Sequence, residues 1–152
     1  MFEVVYFSRS GNTRKVAEAI ADELGVTARD IKTAGAPPAD AFVFLGTGCY
    51  GAMLPAYIAR YLNRYRFSGR KIALFTTSAF GAVAERSMIE KQIRDKGAEV
   101  TDNFQCTGHW LTMKKGHPDK QELESAREFA RGVAAKQLPR QAAKARVKSL
   151  AK

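Results

Sequence analysis

The stretch Tyr6–Gly25, "YFSRSGNTRKVAEAIADELG", passes from an apolar run into a helical period through a turn crowded with short polar side chains. Upstream, Phe2 to Phe7 is a continuous run of mostly β-branched and aromatic residues, the composition of a strand buried on both faces. Downstream, Val16, Ala17, Ile20, Ala21 and Leu24 recur at the spacing of one helix face. Gly25 stands where a helix takes a left-handed residue to end. A buried strand that hands over directly to an amphipathic helix is the first half of a β-α-β unit.

The alternation repeats outward from that unit. Val26 to Ile31 reads as a short, weak strand, and the loop "KTAGAPPAD" follows, its proline pair excluding helix or central strand. Ala41 to Leu45 is a second apolar strand, ended by "GTGCYG", and Pro55 opens a helix over Ala56 to Tyr65. Lys71 to Phe75 is another strand, ended by "TTSAFG". Ala82 to Lys96 is a helix closed by Gly97, Ala98 to Cys106 the last strand, and Asp119 to Lys136 a final helical pattern. Five strands alternating with helices predict a doubly wound parallel α/β sheet. The 152 residues suffice for one core. We place that domain at residues 1–136 and a tail at 137–152.

The tail explains the net charge of +10, since residues 136–152 carry Lys136, Arg140, Lys144, Arg146, Lys148 and Lys152 and no acid. The body is only mildly basic, so the charge does not predict specific nucleic-acid binding. The tail reads as a frayed, solvated extension, because a helix this short is marginal on its own. Were it helical, its cations would line one face, suited to an acidic or anionic partner. No apolar run reaches membrane-span length and no signal peptide is evident, which predicts a cytoplasmic protein.

In a doubly wound sheet, ligands sit beyond the carboxyl ends of the strands. The three loops there, "SRSGNT", "GTGCYG" and "TTSAFG", are rich in glycine and hydroxyls and contain no acid. In the first, a helix start offers unpaired amides and a partial positive charge, which together hold a phosphate without a lysine. Ser8, Ser10 and Thr13 add hydroxyls, Gly11 permits close approach, Asn12 supports the turn and Arg9 brings a rim charge. An ordinary helix cap would need only one such residue. Tyr50, flanked by Gly48 and Gly51, could offer its face to a flat ring.

The motif "SRSGNT" after a first strand resembles the phosphate loop of the flavodoxin family, and the likeness extends from Phe2 to about Val133. The resemblance implies strand order 2-1-3-4-5, FMN as cofactor, and electron transfer with partner proteins, a donor reductase and an acceptor. It carries the phosphate to Ser8, Ser10, Gly11, Asn12 and Thr13. It assigns Thr47, Gly48, Cys49, Tyr50 and Gly51 to the second loop, with Tyr50 stacking on the ring, and Thr77, Ser78, Phe80 and Gly81 to the third. Acidic relatives surround the flavin with carboxylates, whereas here Arg9, Arg14 and Lys15 stand at the first loop, which implies a higher reduction potential and acidic partners. A monomer or weak dimer is expected. A small FMN-dependent oxidoreductase, of quinone reductase or protoporphyrinogen oxidase type, is the alternative on the same fold.

Other features weigh less. Neither a P-loop nor G-x-G-x-x-G occurs. A signalling receiver would need acids where Ser8 and Gly46 stand. His109 and His117 lack metal spacing, Trp110 reads as a packing residue, and Cys49 and Cys106 as small buried residues, Cys49 being a lesser candidate for a redox-sensitive thiol.

Overall fold

The computed structural model describes residues 1–51, 53–78, 83–107 and 116–151. Five strands, β1 (Phe2–Phe7), β2 (Ala28–Asp30), β3 (Phe42–Gly48), β4 (Lys71–Ser78) and β5 (Glu99–Thr107), form one parallel sheet in the order β2-β1-β3-β4-β5. Among the described residues, four helices join and cover them: α1 (Asn12–Leu24), α2 (Ala56–Arg64), α3 (Val83–Asp95) and α4 (Lys120–Leu150).

The continuous apolar runs are explained by the two faces they serve. Successive strand residues point to opposite sides. Val5, Phe7, Val43, Leu45, Ile72 and Leu74 therefore meet Ile58 and Leu62 of α2 and Ile89 and Ile93 of α3. Their neighbours Val4, Tyr6, Phe42, Phe44, Ala73 and Phe75 meet Val16, Ala17 and Ile20 of α1 and Ala126, Ala130 and Val133 of α4. Core therefore lies on both sides of the sheet, and β1, β3 and β4 are buried almost throughout. Gly46 marks the tightest point: a Cβ there would lie 2.0 Å from Cε2 of Phe75, its register partner on β4.

The chain runs outward from β1 to β2, then returns past β1 to β3 and on to β5. The reversal between β1 and β3 leaves a crevice at their carboxyl ends. Gly25 (φ 67°) ends α1 with its amide on Ala21 and Asp22, and Gly97 (φ 91°) plays the same part after α3.

Three element ends depart most from the sequence-based expectation. Strand β3 continues to Gly48 and β4 to Ser78, so parts of the second and third loops are strand ends. Helix α4 does not stop near Lys136 but runs to Leu150, through Pro139. The alanine- and lysine-rich segment that follows has strong helix propensity, and the single amide missing at Pro139 does not end the helix. Gln137 is buried, and Gln141 bonds to the Met1 backbone at 2.7 and 3.4 Å, so the first turn beyond Lys136 is docked on the body. Residues 145–150 are exposed.

Candidate functional site

The carboxyl ends of β1, β3 and β4 bring the three glycine- and hydroxyl-rich loops together, and each pair is joined by a hydrogen bond. The Arg9 amide donates to the Tyr50 hydroxyl at 3.1 Å, joining the first loop to the second. The Cys49 amide donates to the Thr77 carbonyl at 2.8 Å, joining the second to the third. The Thr13 and Thr77 hydroxyls, both buried, lie 2.8 Å apart and join the third to the first. Sixty-four residues of separation in the last pair are thus closed by one short polar contact.

The first loop leaves α1 open to an anion. Its N-terminal residue, Gly11, adopts φ 91° and has no side chain with which to cap the helix. Ser8 instead uses its hydroxyl to accept from the Gly11 amide at 3.0 Å, and Ser10 accepts from the Asn12 side-chain amide at 3.1 Å. Both serines bond inside the loop and keep their own O–H protons to donate. Contrast α4, where Asp119 accepts from the Glu122 amide at 2.8 Å and Glu122 from the Asp119 amide at 3.0 Å, a closed capping box. One helix start is sealed by carboxylates, and the other presents amides and alcohols.

Thr13 and Thr77 share one bond, which uses one of their two hydroxyl protons. The second proton remains for another acceptor. With no acid in the described parts of the three loops, the donor set matches the chemistry of a phosphate ester and would repel nothing that such a ligand carries.

Tyr50 lies across this site. Its ring is packed over Gly48, where a Cβ would fall 2.4 Å from Cζ, so glycine lets the ring lie there and any larger residue would have to displace it. The Arg9 guanidinium sits 4.2 Å above the same ring, within cation–π range. Tyr50 also meets Phe7 edge-on at 6.1 Å, and Phe7 stacks with Tyr57 at 5.2 Å. Sequence reasoning did not single out Tyr57 or Phe7. The signal was present in Tyr57's position on the first turn of α2, directly after the second loop, yet only the strand order shows that this turn borders β1.

Thr47 is fully buried, its hydroxyl donating to the Gly48 carbonyl at 3.1 Å, so it braces the second loop. Ser78 is buried at the end of β4, and Gly51 adopts φ 70° at the second turn. Phe80, Gly81, His109 and Trp110 lie outside the described residues. Burial, with the charge of Glu85 adding to it, pushes the Cys49 thiol up to about 11, although Thr76 and Arg86 act the other way. A shift in that direction makes the thiol harder to ionise, the opposite of the change that activates a cysteine. His117 bonds Glu122 at 2.8 Å, and its ring nitrogen and the carboxylates of Asp119 and Glu122 lie within 4.8 Å of one another, a proximity that spacing alone did not indicate. Both carboxylates are engaged by the capping box.

Comparison with known proteins agrees with this architecture. The flavodoxin domain family matches residues 3–124. An uncharacterised protein of Methanocaldococcus jannaschii is 27% identical over 136 residues, covering 80% of this chain and 89% of that protein. Among solved structures, a flavodoxin from the domain Archaea superposes with a TM-score of 0.68 at 19% identity, covering 89% of this chain and 96% of that one. Oxidised flavodoxin 2 of Bacillus cereus gives 0.64 at 21%, covering 89% and 98%. Two-electron reduced flavodoxin of Megasphaera elsdenii gives 0.59 at 21%, covering 86% and 99%. With its strand order, its crevice between β1 and β3 and a family match over most of its length, the chain belongs to the flavodoxin domain family.

Proposed function

We propose that this protein binds FMN at the loops after β1, β3 and β4 and carries electrons between partner proteins. The observation that carries the reading is the uncapped start of α1, set beside a buried threonine pair that holds one proton in reserve. The amides following Gly11 and the hydroxyls of Ser8, Ser10 and Thr13 would hold the phosphate, with Asn12 supporting the Ser10 turn. The second-loop residues Thr47, Gly48, Cys49, Tyr50 and Gly51, and the third-loop residues Thr77, Ser78, Phe80 and Gly81, would border the ribityl chain and ring. FMN, when bound, supplies a ring that accepts and releases one or two electrons.

Tyr50 takes a more active part in this reading than a fixed stacking platform. Its hydroxyl and ring are already engaged by Arg9, so it shields the crevice and must turn its face to admit a flat ring. Arg9, Arg14 and Lys15 are exposed at the same edge and would draw an acidic partner, although Arg14 is partly neutralised by Glu18 at 2.8 Å. Among the described residues no helix is long and apolar enough to cross a membrane.

Mixing the purified protein with FMN tests the assignment. We expect quenched flavin fluorescence and a shifted absorption band, both lost in Ser10→Ala/Thr13→Ala. An unchanged flavin spectrum in the unsubstituted protein would remove the proposal. NAD(P)H oxidation measured with and without a quinone then separates carrier from enzyme: turnover that requires the quinone and saturates with it would favour the oxidoreductase.

A further inference from the structure

At the amino ends of the strands, on the sheet edge opposite the three loops, lies a cleft of about 340 Å³. It is lined by Arg66, Arg70, Lys71 and Arg140, with Gln137 also on its wall and Asp40 its one acid among the described residues. No carboxylate among the described residues pairs with any of those four cations, whereas Arg14, Arg29, Lys91, Arg94, Arg127, Arg131 and Lys136 all have one. Like charges gathered in a concave surface raise the local potential and concentrate anions. Arg70 is held in place, donating to the Pro38 carbonyl at 3.0 Å with its guanidinium 5.2 Å from the Phe67 ring centre.

Arg66 gives a second, independent observation. Its φ of 51° makes it the one non-glycine residue in the left-handed region among the described residues. It follows α2, where the Phe67 amide reaches back to the Leu62 carbonyl at 3.3 Å, the hydrogen bond of a helix ending that favours glycine. Helices α1 and α3 end on Gly25 and Gly97, as expected. A glycine after α2 would make the same turn with less strain, so what arginine adds there is a guanidinium at the cleft. The continuation of α4 past Pro139 contributes similarly, since it brings Arg140 to the same cleft.

We propose that this cleft is a second anion site, separate from the loops after β1, β3 and β4, and that it takes a di- or triphosphate. Three guanidinium forks and an ammonium, offset by one carboxylate, match the charge of such a ligand, and guanidinium pairs with phosphate oxygens through two parallel hydrogen bonds. The volume suits a small molecule at the lower end of the usual range. An extended acidic peptide would engage a concave site of this size with only a few of its carboxylates.

Calorimetric titration of the full chain with pyrophosphate in near-physiological salt tests this. One site is expected, weakened about tenfold or more by Arg66→Gly and by Arg140→Gln, in keeping with the loss of a charge-assisted pair. Ser10→Ala/Thr13→Ala should leave it intact. Arg66→Gly should also melt at the same or a higher temperature than the unsubstituted chain, so that lost binding cannot be ascribed to lost folding. ADP binding more tightly than pyrophosphate, with the same dependence on Arg66 and Arg140, would support a nucleotide as the ligand, and weaker ADP binding the inorganic anion. Absence of heat, binding indifferent to both arginines, or binding abolished by the Ser10/Thr13 variant would overturn the proposal.

Discussion

Two glycines on β3, two residues apart, illustrate how different a missing side chain can be. Gly46 faces the Phe75 ring inside the core, where both neighbours are fully enclosed. Gly46→Ala should lower stability by about 1–3 kcal/mol in urea unfolding, the usual cost of overpacking. Gly48 faces the far end of Tyr50, which can rotate away. Gly48→Ala should therefore cost less than about 1 kcal/mol while weakening FMN binding, because the displaced ring moves toward the crevice. Equal stability losses in the two variants would contradict this distinction. The residue types at the site were legible in the sequence: a cluster of serines, a threonine and a glycine before a helix has few other uses. The pairing of Thr13 with Thr77 was not, because it depends on the distance between loops that strand order sets, and neither was the fold of Tyr50 over Gly48, which depends on the local turn of the second loop. Arg9 shows the same limit, since its sequence marks a rim charge but not its place over the Tyr50 ring. Removing that charge with Arg9→Gln should lower the potential of bound FMN by about a few tens of millivolts, the scale of one charge at roughly 10 Å in a high-dielectric surround. Potentiometric titration showing no change would argue against an electrostatic role for Arg9.

At the level of elements, β1, β3 and β4 were legible because burial on both faces forces a continuous apolar run. Strand β2 was harder to delimit. It has only three residues, Ala28, Arg29 and Asp30, all half-buried at a sheet edge, and carries little apolar signal. The end of α4 was misplaced because a short basic segment beyond Lys136 is marginal as a helix on its own. Here Lys136 pairs with Asp102, Gln137 is buried and Gln141 holds Met1, contacts that sequence spacing does not reveal. The two ends of α4 are secured differently. The start relies on its capping box, so Asp119→Ala should cost about 1 kcal/mol, measured by chemical denaturation. No change would mean that the His117–Glu122 contact suffices to hold the end.

Across the whole molecule, the thiols link stability to alkaline pH. Burial raises Cys49 from its ordinary 9.0 to about 11 and, with Glu122 and Asp119 adding to it, Cys106 to about 12. The unfolded chain releases these protons near pH 9, while the folded chain keeps them. Between pH 9 and about 11 to 12 the unfolded state therefore binds fewer protons, and stability falls as pH rises. Denaturation midpoints should decline over that window and decline less in Cys49→Ser/Cys106→Ala, compared with its own value at pH 8. An equal decline in that variant would place the effect elsewhere. The charge distribution has a similar two-ended character: cations border the loop edge at Arg9, Arg14 and Lys15 and gather again at the opposite edge around Arg66 and Arg140.

Comparing FMN with riboflavin by calorimetry tests most directly whether the open start of α1 holds a phosphate. Several charge-assisted hydrogen bonds separate the two ligands, so FMN should bind at least about 100-fold more tightly, and Ser10→Ala/Thr13→Ala should erase most of that ratio. Equal affinity for the two, or binding of neither, would contradict the account.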